Sequence, residues 1–105
     1  MTRVIVNSGA CGYAVTITVT KGKDKTFEVA LDTDCAMVKK MAGEIAVLER
    51  LAALTGFQNN PVYRSAAKHL KHVACPVPSA ILKALEVEAG LNVMKDATIV
   101  FDKKN

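Results

Sequence analysis

A chain of 105 residues, half of them apolar and 23% charged, fits one compact domain over residues 1–105 and excludes a disordered or repetitive polymer. The net charge of +4 is mildly basic, but the lysines stand in short solvated groups with no Arg-rich or aromatic stacking stretch, so nucleic acid is not an expected partner. No apolar run can span a bilayer and no signal-like hydrophobic region follows Met1, so we expect a cytoplasmic protein with no membrane partner.

Residues 3–7 are largely β-branched and predict a first strand. SGACG (8–12) follows, and its two glycines permit a tight reversal. YAVTITVT (13–20) alternates, with Tyr13, Val15, Ile17 and Val19 on one face and Ala14, Thr16, Thr18 and Thr20 on the other. KGKDK is a polar turn. TFEVAL (26–31) alternates again, with Phe27, Val29 and Leu31 inward.

The apolar period then changes. Val38, Met41, Ala42, Ile45, Leu48 and Ala52 recur at helical spacing, which predicts a helix over about 34–54, capped by Asp32, Thr33 or Asp34 and stopped by Gly56. Asn60 and Pro61 predict the cap and first position of a second helix, running to about 72. A third follows CPVP (75–78) and ends at Gly90, where Leu91 can pack back. ATIVF (97–101) predicts a last strand. The fold class is therefore α+β in the order βββαααβ: a four-stranded sheet, made of an antiparallel meander plus a C-terminal strand, with three helices on one face. The threonine-rich face is either wet or pairs with a second copy, giving a homodimer.

Three cysteines, an odd number, argue against a disulfide framework in a reducing compartment. If each element reverses the one before it, Cys11, Cys35 and Cys75 all reach the same end of the domain, together with His69 and His72. Cys35 falls in the first turn of a helix, Cys75 reads as the N-cap of another, and Cys11 sits in a Gly-flanked turn. All three are settings that suit an anion, and the thiolate is the metal-binding and nucleophilic form. Three thiolates form a ligand set for zinc or an iron–sulfur cluster with one open position, which His69 or His72 could fill. The competing reading makes the cysteines small buried hydrophobes and the histidines exposed helix residues among Lys68 and Lys71. No P-loop, GxGxxG or Ser-His-Asp pattern is present, so whether the protein is an enzyme stays open.

CPVPSAILKALE (75–86) resembles the CPxP-plus-helix motif of TusA-type sulfur carriers. That resemblance implies a persulfide on Cys75; in our own reading of a thiol carrier, Cys35 could serve as the resolving thiol. The family's motif follows its first strand, whereas here it precedes the last helix. Over the whole chain, CGY (11–13), then DC (34–35), then CPVP with EVEAGL (86–91), resembles a small family of uncharacterised proteins of anaerobic prokaryotes. That second resemblance implies no assigned activity, but it implies that the three cysteines act as a set. Three readings result: a metal or iron–sulfur protein, a thiol or sulfur carrier, and a non-catalytic dimerising module.

Overall fold

A computed structural model describes residues 1–103. Strands β1 (Thr2–Asn7), β2 (Ala14–Lys21) and β3 (Thr26–Thr33) form the antiparallel meander. The register sets Val4 opposite Ile17 and Ile17 opposite Leu31, with Val19 opposite Val29 one step along. Because strand side chains alternate, this register gathers Val15, Ile17, Val19, Phe27 and Val29 on one buried face. Tyr13 lies just before β2 and is exposed instead.

The helix expected over 34–54 is interrupted. Helix α1 (Ala36–Glu44) ends just past Gly43, and Val47–Glu49 forms a short strand, β4. Phe27 pairs with Leu48 across it, and the Val29 N–H donates to the Ala46 carbonyl at 2.9 Å. Ile45 and Leu48 are both buried, as a helical stripe would have them. Here, however, the sheet offered backbone partners that a helix could not use, and Gly43 and Val47 are weak helix formers. A one-turn helix, α2 (Arg50–Ala53), follows, with the Glu49 side chain accepting from the Ala52 N–H at 3.1 Å. Arg50 stitches this corner to the β2–β3 turn. Its Nε donates to the Thr26 carbonyl at 2.9 Å and a terminal nitrogen to the Gly22 carbonyl at 3.0 Å, while the guanidinium lies over the Phe27 ring.

Helix α3 (Pro61–His69) begins as expected. Asn60 is its cap, with Oδ1 accepting from the Val62 N–H at 2.9 Å and Pro61 at the first position. It stops three residues short of the expected end. Helix α4 (Val77–Glu88) closes at Gly90 with the two hydrogen bonds of a Schellman motif, Gly90 N–H to Val87 O and Leu91 N–H to Glu86 O. The apolar half of that motif is missing, because Leu91 is exposed. Helix α4 packs on β1 and β2, α1 packs on β3, and α3 sits against both helices. The core between helices and sheet is aliphatic apart from Phe27.

The expected C-terminal strand does not form. The sheet order is β1-β2-β3-β4, all neighbours antiparallel, so β4 takes the fourth place. Residues 97–101 pair with nothing in this sheet. The resulting order among the described residues is βββαβααα, with four α-helices there rather than three. The class, α+β with a four-stranded sheet under helices on one face, is as the sequence predicts. No helix among the described residues is long and apolar enough to cross a membrane.

A cysteine-lined cavity as the candidate functional site

The three cysteines enter the fold from three different elements. β1 runs into a 3₁₀ turn, Gly9–Cys11, held between Gly9 and Gly12, both at positive φ, and closed by the Gly12 N–H to Gly9 carbonyl bond at 2.9 Å. Cys11 is exposed on this turn. β3 ends at Thr33, whose hydroxyl donates to the Ala14 carbonyl at 3.0 Å and accepts from the Cys35 N–H at 3.1 Å. Thr33 thus fixes Cys35, which is itself the N-cap residue of α1, so the capping expected of Asp32 or Asp34 is not made. Cys35 is buried.

Cys75 precedes α4 by one residue more than the sequence suggests. Pro76 occupies the N-cap, and Pro78 stands where the helix has no use for an N–H. The Cys75 N–H donates to the His72 carbonyl at 3.2 Å, closing the turn between α3 and α4. Its side chain is half-buried.

All three cysteines line one cavity of about 470 Å³. His72 lines it too, from the turn after α3 and not from the helix itself. The other walls are mostly apolar, built by Val15, Met37, Val38 and Leu70, with Ser8 and Tyr13 also lining it. Among the described residues, no Lys, Arg, Asp or Glu lines it. Among the described residues, no group of three His, Cys, Asp or Glu forms a ready-made cage for a metal ion. The sulfurs share a cavity without being drawn together around a point.

His69 goes elsewhere. It lies in the last turn of α3 with Nε2 3.4 Å from Glu44 Oε1. Lys68 Nζ reaches the other oxygen of Glu44 at 2.7 Å. The Lys68 hydrogen bond, then the nearby Ser65 hydroxyl, hold the Glu44 carboxyl down to about 2. Ser65 Oγ is buried and makes no hydrogen bond by geometry among the described residues, so Lys68 is the main cause. This cluster ties α1 to α3. The histidine spacing in the sequence therefore misleads, because ending α3 at His69 sends the two histidines to different places.

A second carboxylate, unmarked in the sequence, anchors the opposite end of β1. Glu88 Oε1 accepts from the Thr2 hydroxyl at 2.6 Å and lies 3.3 Å from the Met1 amine. The Thr2 bond is the main reason the Glu88 carboxyl stays below the usual range, against partial burial.

The fold and the cavity define a small α+β domain with a thiol-lined pocket. Residues 2–101 match the model of a family of unknown function, DUF6951, and the chain belongs to that family. No curated protein and no solved structure matches it.

Proposed function

We propose that this is a small metal- or iron–sulfur-binding protein whose centre is held by Cys11, Cys35 and Cys75, with His72 at the remaining position. One observation carries the reading: three cysteines spread over 65 positions of sequence line the same cavity from three separate elements. The chemistry of the walls supports it. A thiolate in an apolar cavity is costly unless a positive charge accompanies it, and among the described residues no lysine or arginine lines this one. A bound metal would supply that charge.

The cavity has room for a single ion or for a cluster. A Zn–S bond of about 2.3 Å places the sulfurs of one tetrahedral ion about 3.8 Å apart. A cavity of about 470 Å³ also has space for a larger inorganic core. When bound, such a group would supply electron transfer or a Lewis-acid position. The cysteines would hold it, and Met37, Val38 and Leu70 would exclude water from one side.

Purification without oxygen, followed by iron, zinc and sulfide analysis and a visible spectrum, tests this. The expected result is a stoichiometric metal or cluster, and colourless protein free of metal and sulfide would overturn it. Sulfur carriage on Cys75 is a second reading, supported by its half-exposed position at the start of α4. It predicts a one-sulfur mass adduct that Cys75→Ser abolishes. Dimerisation through the open sheet face is supported by Ile5 and Val47, both exposed on a face otherwise rich in threonine.

A further inference from the structure

The segment after α4 carries apolar side chains with no use in the isolated chain. Ile99, Val100 and Phe101 are 87%, 83% and 82% exposed, and Leu91, Val93 and Met94 are exposed as well. ATIVF has the composition of a strand, yet no residue of it joins the four-stranded sheet. The family match runs through residue 101, so the segment belongs to the family's common domain and is not an appended tail.

The sheet has a matching vacancy. β1 is an edge strand of six residues, paired on one side by β2 and open on the other. The opposite edge, β4, has three residues and runs directly into α2, too short to receive five. The arm departs close to β1, since α4 ends at Glu88, which holds the Thr2 hydroxyl. From there it is steered outward. Gly90 turns at positive φ, the Asn92 amide donates to Glu86 at 3.1 Å, and the Val93 N–H donates to Asn92 Oδ1 at 2.9 Å. The molecule measures 53 × 29 × 25 Å, and the apolar side chains of the arm stay exposed.

We propose that residues 97–101 add as a fifth strand to the open edge of β1 in a second copy of this chain, and that the two copies exchange arms reciprocally. Backbone hydrogen bonds along β1 would provide affinity, and burial of Ile99 and Phe101 or Val100 on the two faces would set the register. Such an exchange is self-complementary, as a two-fold dimer requires. It does not depend on what the cysteines bind.

The test uses the full chain, the variant Val100→Pro and the double variant Ile99→Asp/Phe101→Asp, each checked for an unchanged far-UV CD spectrum. The arm's side chains are exposed, so neither change removes a core contact. Molar mass is followed by light scattering over a concentration series, and amide exchange is read for residues 97–101 and β1. The wild type is expected to be a dimer with protected amides in both segments. The double variant should weaken the dimer at least ~100-fold, as losing two buried apolar side chains in each arm implies, and Val100→Pro roughly tenfold or more, as losing one bond in each arm implies. A monomeric wild type overturns the proposal, whether its arm exchanges freely or is protected by folding onto its own β1. A dimer indifferent to both variants overturns it too, and would point to the open sheet face.

Discussion

Replacing Asn60 by alanine removes a side chain that does three things at once. Asn60 is 1% exposed. Its Oδ1 caps α3 through the Val62 N–H at 2.9 Å, and loss of such a cap costs about 1 kcal/mol. Its Nδ2 donates to the Ala53 carbonyl at 2.8 Å and, at longer range, to the Thr55 carbonyl at 3.4 Å. Stranding a buried carbonyl costs a further ~1–3 kcal/mol. The sum is about 2–4 kcal/mol, a large part of the stability of a domain this size. With a urea slope of roughly 1–1.5 kcal/mol/M, the unfolding midpoint should drop by about 1.3–4 M. Asn60→Ser keeps an acceptor for the cap but not the donor to Ala53, so it should recover about 1 kcal/mol of the loss. Urea titration by CD on the three proteins makes the measurement. A drop below about 0.5 M for Asn60→Ala, or serine no better than alanine, would refute the reasoning.

Leu48→Ala should cost about 2–4 kcal/mol, because Leu48 is buried opposite Phe27 in β4, and a cost under 1 kcal/mol would argue against that strand. Arg50→Lys should cost about 1–2 kcal/mol in the same urea assay, since an ammonium cannot serve the Thr26 and Gly22 carbonyls and cover Phe27 together. For Glu88, the folded pKa lies below the ordinary carboxylate value. Its contribution is therefore full at neutral pH and lost as pH falls through that lowered value. Wild type should exceed Glu88→Gln in stability at about pH 6, with the gap closing towards about pH 2; a gap constant over that range would contradict the assignment.

The sequence conveys most of this fold where one pattern meets no competitor. The alternation in β2 and β3 reads directly as a half-buried meander, and Asn60 with Pro61 marks a helix start through local chemistry alone. The stretch 43–49 is different. Its apolar spacing satisfies a helix and a strand equally, and the choice is made by backbone partners on β3 that no local window contains. ATIVF has the reverse problem: its strand propensity is real, but a strand needs an edge, and none in its own sheet receives it. The convergence of the cysteines followed from chain reversals alone and survives the change from βββαααβ to βββαβααα. This is because the inserted β4 still leaves α3 leading back to the end where β1 and β3 finish. What spacing could not convey is that α3 stops at His69, which parts the two histidines.

The central claim is that Cys11, Cys35 and Cys75 work as one set. Metal and sulfide content, measured per chain in anaerobically prepared Cys11→Ser, Cys35→Ser and Cys75→Ser proteins of unchanged CD spectrum, tests it most directly. We predict that each single change strips the bound centre to a similar degree. Retention of the wild-type content by any one of the three, Cys11→Ser above all, would contradict it.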